Sequence, residues 1–185
     1  PFDTPKQWKG WHKRKNLPSA INNNNWIDRL HKNSELEKIK SLWQGRLGQD
    51  QIRELRADYA DHLLLLDEQI GKIMKELENR NDNKQTSIAI TSDHGEMLGD
   101  HEMLYKSTFL DPSIRVPFIY RPPTQEGRNK QSLIIETPVG LTEILKFTIT
   151  NLRKNRGEIN PIRDWCEKQK FVISEFGEEV MIVKG

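Results

Sequence analysis

Several things are scarce in this sequence, and each scarcity excludes something. One cysteine, Cys166, rules out a disulfide within the chain and leaves the redox compartment open. The longest aliphatic run is Leu63 to Leu66, far short of the roughly 20 apolar residues a membrane-spanning helix needs. Neither sign of charge is in excess. The 29 basic and 27 acidic residues leave a net charge of +2, which argues neither for nor against a polyanionic partner. The chain opens Pro1-Phe2-Asp3 without a methionine, so the lack of a targeting segment is uninformative, and sequence upstream of Pro1 is expected. At 185 residues it can bury one core, which fits one domain or one and a fraction.

What is present concentrates between Thr86 and Pro123. The uncharged run Thr86 to Ser92, centred on Ile88-Ala89-Ile90, reads as a short strand buried on both faces. Ser92-Asp93-His94-Gly95-Glu96 follows at its C-terminal edge, where open α/β sheets hold ligands. A second acid–imidazole pair, Asp100-His101, comes one short loop later, then Lys106, and Val116 to Tyr120 reads as the next strand. Asp93 offers a hard anionic oxygen and His94 a neutral nitrogen, a pair suited to a divalent cation. Gly95 lets the backbone turn sharply or approach a ligand closely. Lys106 is a compact cation able to neutralise an anionic oxygen. Taken alone, Ser-Asp-His-Gly reads more readily as an ordinary turn, and two ligands do not complete a metal site.

The spacing of the whole stretch changes that weighing. T-S-D-H-G-E-x-L-G-D-H-x-x-x-x-K, followed by Arg115-Val116-Pro117-Phe118-Ile119 and the pair Pro122-Pro123, resembles the sulfatase family of the alkaline-phosphatase-like superfamily. The resemblance implies an α/β fold: part of an alkaline-phosphatase-like mixed sheet flanked by helices, with the start of a small antiparallel C-terminal subdomain. Residues 1–160 would be the C-terminal part of the catalytic domain, and 161–185 would begin the subdomain. It implies that Asp93 and His94 bind the metal, that Lys106 contacts the sulfate ester and acts in catalysis, and that His101 lies beside the substrate. Glu96, Asp100 and Glu102 are expected to be solvated or structural. Calcium is the metal the resemblance points to, with Mn²⁺ or Mg²⁺ as alternatives.

The rest of the chain reads as scaffold. Pro1 to Asn33 is irregular, with the basic cluster His12-Lys13-Arg14-Lys15 interleaved with Trp8, Trp11 and Trp26. That pattern suits either a nucleic-acid surface or, as preferred here, a tryptophan-pinned loop crossing a globular domain. By resemblance, Pro1-Phe2-Asp3-Thr4-Pro5 is similar to the tail of a sulfatase P-H-x-P-[FY]-x-x-P segment, and loops of this kind shape substrate pockets. Ser34-Glu35-Leu36-Glu37 is a capping box opening a helix. The spacing of Ile52, Leu55, Tyr59, Leu63, Leu66, Ile70, Ile73 and Leu77 predicts a long helix over 51–78, with Asp50 as its cap. His62 is expected to be a packed or surface residue, and Gly71 to mark a close approach. Tyr59, Asp67 and Ile70-Gly71 are similar to the sulfatase helix that precedes the metal strand. Further on, the sequence predicts a short strand at Ser132 to Ile135 and a helix capped by Thr137 with Pro138 at its first position, its stripe being Leu141, Ile144, Leu145, Thr148 and Leu152. A short helix over 161–170 and a strand pair around Phe176-Gly177 close the chain.

By the resemblance, sulfatases take their nucleophile from a Cys or Ser in C/S-x-P-x-R, converted to formylglycine. Cys166-Glu167-Lys168-Gln169-Lys170 does not fit that motif, and no serine does. The family's N-terminal pair of acidic metal ligands and its Asp near a Pro-Thr pair are also missing. The formylglycine is therefore expected outside this chain, and the 185 residues alone are expected to be catalytically silent. The reading is a sulfuric ester hydrolase acting on a sulfated small molecule or glycan, without nucleic acid and without a membrane span. Two alternatives stay open: a phosphoric or phosphonic ester hydrolase of the same superfamily, and a non-catalytic polyanion-binding module built on the basic, Trp-rich stretch. The compartment is undetermined, a periplasmic or secreted one being in keeping with the resemblance.

Overall fold

In the computed structural model the chain is described at residues 3–12, 17–23, 34–123, 132, 134–154 and 160–184. It divides into two units, Pro1–Asn79 with His94–Arg115, and Arg80–Asp93 with Val116–Gly185.

The first unit is built along two helices. Helix α1, Glu35–Trp43, starts as the capping box predicts: the Glu37 N–H donates to Ser34 Oγ at 3.2 Å. Gly45, at φ 68°, follows its end in the left-handed conformation that glycine takes without steric penalty. Helix α2, Gln49–Glu78, begins two residues before the predicted Gln51. Its cap is Gly48, whose N–H donates to Gln51 Oε1 at 2.9 Å, and not Asp50. Asp50 sits instead in the first turn, where its carboxylate meets Arg53 at 3.2 Å and complements the helix dipole. Ile52, Ala57 and Asp61 are its buried face, whereas Leu63, Leu66 and Ile73 of the predicted stripe are exposed. A Cβ built on Gly71 meets nothing, so the close approach expected there is not found. His62 is packed as expected, its Nδ1 2.6 Å from Thr4 Oγ1.

Asp61 fastens the N-terminal segment to α2. It has no exposed surface, and its carboxylate accepts the N–H of Gly10 at 2.6 Å and the N–H and Nδ1–H of His12 at 3.0 and 2.8 Å. Burial pushes its pKa up, but the bonds from His12 and Gly10 outweigh this and hold the carboxyl below its usual value of 3.8. A carboxylate depressed in the folded state stabilises above its unfolded pKa, and that contribution fades as pH falls through the folded value. Asp61→Ala is therefore expected to lower stability at neutral pH by about 3 kcal/mol, because it strands buried donors. With Asp61→Asn the deficit against the parent should narrow on acidification below about pH 4. Urea denaturation at pH 7 and pH 3 checks both; a deficit that widens at low pH would reverse the sign argued here.

A second anchor, Asp100, is also buried. It accepts the Ile21 N–H at 2.9 Å and Arg56 Nη1 at 3.1 Å, and the same guanidinium nitrogen donates to Leu98 O at 3.0 Å. With Met97 and Met103 fully buried, this pins the 3-10 turn Asp100–Glu102 close to α1 and α2. The short helix α3, Asp111–Ile114, has no counterpart in the sequence reading. It is one turn long, too short to show a period, and is started by Pro112.

In the second unit, β1, Ile88–Thr91, pairs antiparallel with β2, Phe118–Arg121, in a register that sets Ile88 opposite Arg121 and Thr91 opposite Phe118. Burial alternates along β1, with Ala89 and Thr91 exposed, so the burial on both faces expected for this strand is not found. Helix α4, Leu141–Lys154, begins three residues after the predicted first position: Pro138 lies outside it, and Glu143 N–H donates to Gly140 O at 3.0 Å. Ser132, Ile134 and Ile135 form no strand. Among the α4 side chains described, the buried one is Phe147, 2% exposed, with ring centroids 5.1 Å from Tyr120, 6.2 Å from Phe118 and 4.7 Å from Trp165. Helix α5, Asn160–Glu167, carries Trp165 and the buried Cys166, whose thiol is pushed up by burial and by the neighbouring Glu167. Strands β3, Phe171–Phe176, and β4, Glu179–Lys184, form the predicted antiparallel hairpin, with Ile173 opposite Ile182 and Gly177 in the turn at φ 61°. Among the described residues the sheets are these two antiparallel pairs, and no helix is long and apolar enough to cross a membrane.

Candidate active site

The first unit brings together two of the residues the sequence singled out. His94 is half-buried, and its Nδ1 lies 2.8 Å from Gly95 O. A carbonyl can only accept, so this contact places the proton on Nδ1 and leaves Nε2 as the lone-pair nitrogen. Lys106, twelve residues further on, sets its ammonium 2.5 Å from that Nε2. Two residues with related expected roles are thus in contact.

That contact depends on how the intervening chain returns. Gly95 N–H donates to Ser113 O at 2.7 Å and Glu96 N–H to Pro112 O at 2.8 Å, laying the His94 segment against α3. A Cβ at Gly95 would stand 1.9 Å from Pro112 O, so this position admits only glycine. Gly95 thus serves a backbone crossing, where its residue type suggests a turn or a ligand contact. From Met97 the chain loops out and comes back: Met97 N–H donates to Tyr105 O and Gly99 N–H to Met103 O, both at 2.8 Å. Leu98, His101, Glu102, Tyr105 and Ser107 all take positive φ, between 48° and 76°. Non-glycine residues rarely do, and such conformations cluster where surrounding contacts over-determine them.

The other predicted residues fall as follows. Asp93 is exposed in the second unit, two residues after β1, with Ser92 Oγ 3.5 Å from its Oδ1. His101 is half-buried, and its backbone N–H donates to Ile21 O at 2.6 Å, tying the turn to the N-terminal segment. Glu96 and Asp100 are structural, as expected: Glu96 Oε1 accepts the N–H of Tyr105 at 2.5 Å and of Leu98 at 3.3 Å. Arg56 and Asp61 were missed. Both had a readable signal, since Ile52, Arg56, Ala57 and Asp61 are spaced along one side of a helix, where a charge demands a partner. Lys13 to Lys15 and Trp26, the core of the basic, Trp-rich cluster, lie outside the described residues.

A histidine whose Nδ1–H is held by a backbone carbonyl has the tautomer that can ligate a cation through Nε2; in this structure that nitrogen faces the Lys106 ammonium. Among the described residues no group of three or more His, Cys, Asp or Glu side chains gathers into a metal site.

Comparison with known proteins places the chain among familiar sequences. The chain is 25% identical over 145 residues to an arylsulfatase of Clostridium perfringens, covering 78% of this chain and 30% of that protein. It is 26% identical over 171 residues to the multifunctional alkaline phosphatase superfamily protein PehA of Trinickia caryophylli, covering 85% and 32%. To the ulvan-active sulfatase of Formosa agariphila it is 36% identical over 95 residues, covering 50% and 18%. The chain thus spans about a third or less of the length of these relatives. The sequence pattern that defines the sulfatase family matches residues 8–145, well over half of the chain and inclusive of His94 and Lys106. By that match, the chain belongs to the sulfatase family.

Proposed function

We propose that, in its full-length protein, this chain supplies part of the active site of a sulfuric ester hydrolase acting on a sulfated small molecule or glycan. The observation that carries the reading is the Lys106 ammonium set against Nε2 of His94, within the stretch that matches the sulfatase family. Sulfatases as a family use a divalent metal. On this reading Asp93 and His94 are two of its ligands, and calcium is the metal favoured over Mn²⁺ and Mg²⁺. When bound, the cation supplies positive charge toward the nucleophile and the sulfuryl oxygens.

The chain's own residues do the rest of what is assigned here. Lys106 holds its charge where the ester oxygens lie and offsets the negative charge that develops toward the leaving group. Gly95 O keeps the His94 proton on Nδ1, so that Nε2 faces Lys106 and not the backbone. His101 lies on the substrate side. Residues 1–160 belong on this reading to the catalytic domain, and 161–185 begin its C-terminal subdomain. The nucleophile comes from outside these 185 residues, none of which stands in a C/S-x-P-x-R motif.

The likeness to PehA gives a specific reason to keep phosphoric and phosphonic esters as a second reading. The test is turnover of an aryl sulfate and an aryl phosphonate by the full-length protein, before and after chelation and re-addition of Ca²⁺, Mn²⁺ or Mg²⁺. Sulfate turnover that is lost on chelation and restored best by Ca²⁺ is expected. Phosphonate turnover without sulfate turnover would move the assignment to the second reading. The 185-residue chain by itself is expected to give no turnover of either substrate, and measurable hydrolysis would show that a nucleophile within it was overlooked.

A further inference from the structure

We propose that Glu96 is a positioning residue for Lys106: by holding the N–H of Tyr105, its carboxylate fixes where the Lys106 side chain starts and so seats the ammonium on His94. The inference rests on the role assigned to Lys106 above.

A lysine side chain is long and carries several rotatable bonds, so where its head group dwells depends on how firmly its backbone is placed. The backbone here is under strain. Tyr105, at φ 64°, and Ser107, at φ 76°, flank Lys106, and neither conformation is one that a side-chain-bearing residue adopts freely. At the far side of the loop the pins are the buried methionines and the Asp100–Arg56 pair. Next to Lys106 the pins are two bonds to Tyr105, its N–H to Glu96 Oε1 at 2.5 Å and its carbonyl from Met97 N–H at 2.8 Å. The same Glu96 oxygen takes the Leu98 N–H at 3.3 Å. One oxygen thus closes both ends of the turn, with charge-assisted bonds that are stronger than neutral ones. Glu96 is two residues from His94, so the group that ligates and the group that is positioned are referenced to one short segment. A solvated glutamate would not sit on two backbone donors.

The test uses the full-length protein on an aryl sulfate, with Lys106→Ala, Glu96→Ala, Glu96→Gln and the double variant Glu96→Ala/Lys106→Ala. Lys106→Ala is expected to lower kcat/KM by about 100-fold or more, the scale of losing a donor that meets developing charge. Glu96→Ala should lower it by roughly tenfold or more, since small misplacements of such a group are expensive. Glu96→Gln should stay within about threefold of the parent, because the amide oxygen still accepts both N–H groups. On the Lys106→Ala background, Glu96→Ala should change little further, because a residue that acts through another has nothing left to position. Losses that multiply in the double variant, or a Glu96→Gln loss equal to that of Glu96→Ala, overturn the proposal; the first means a general structural role, the second a role of charge.

A second readout does not involve turnover. In the metal-free full-length protein, the ¹⁵N resonance of His94 Nε2 should shift in Glu96→Ala, as the ammonium leaves, and stay at its parent position in Glu96→Gln. Glu96→Asp, which withdraws the carboxylate by one methylene, should behave as Glu96→Ala and serves where the latter does not fold. If Lys106→Ala leaves turnover unchanged, the catalytic role of Lys106 falls, and the His94 resonance still decides whether Glu96 sets the contact.

Discussion

Alanine at Gly95 is expected to destabilise the protein by about 3 to 5 kcal/mol. The added Cβ would stand 1.9 Å from the Pro112 carbonyl oxygen and 2.9 Å from its carbon, backbone atoms that cannot rotate away. The two segments must separate by more than an ångström. That breaks the bonds from Gly95 N–H to Ser113 O and from Glu96 N–H to Pro112 O, worth about 1 kcal/mol each. Overpacking adds roughly 1–3 kcal/mol. Gly71→Ala is the control. Its Cβ meets nothing, and it lies within α2, so the change should be neutral or stabilising by up to about 1 kcal/mol. Chemical denaturation of both variants measures this; a Gly95→Ala midpoint matching the parent would mean that the crossing of the His94 segment over α3 is not as close as described. Displacing that segment also moves His94, so Gly95→Ala should disturb the contact with Lys106 even under conditions where the chain remains folded.

How much of this was legible in the sequence depends on the range of the interaction. Features set by residues within one or two turns were readable: the Ser34 cap, the run of α2, the β3–β4 hairpin and the two strands around the motif stretch. Most departures there are of boundary, apart from the strand expected at 132–135 and the two-faced burial expected of β1. Gly48 capped α2 in place of Asp50 because Gln51 could reach back to its N–H, and α4 began at Leu141, leaving Pro138 outside. Where long-range packing decides, the sequence was silent or misleading. Phe147 of α4 is buried because two rings on β2 and one on α5 meet there, which no periodicity within α4 announces. Gly95 shows the same limit in the site. Its motif marked it as special, yet the reason was a backbone crossing from residues 112–113, which only the folded chain brings near.

The site itself was legible as a list and not as a geometry. Asp93, His94 and Lys106 stood out by spacing, but nothing in one dimension says that Lys106 returns to Nε2 of His94. The return is made by Glu96 and Asp100, whose place in the motif marks them only as solvated or structural, together with Arg56. They are polar groups with backbone partners, and such partners are invisible until the loop is closed.

Exchange of His94 for alanine is expected to have the largest effect on the proposed cation. Removing even an outer hydrogen-bond partner of a ligand weakens metal binding by about 10–100-fold, so loss of the ligating nitrogen itself should reach at least the upper end, with turnover falling in parallel. Asp93→Ala should act likewise, since a carboxylate oxygen contributes charge as well as a bond. Lys106→Ala is the discriminating comparison. Its ammonium lies 2.5 Å from the nitrogen that would bind the cation, and like charges at such range repel. Removing it should leave divalent-cation affinity unchanged or tighter while turnover drops, whereas His94→Ala loses both. Calorimetric titration of Ca²⁺ into the full-length variants separates the outcomes. If Lys106→Ala weakens the cation as much as His94→Ala does, the lysine is part of what builds the cation site and does not act on the ester alone. If neither variant changes the affinity, His94 is not a ligand, and the contact with Lys106 is a structural one.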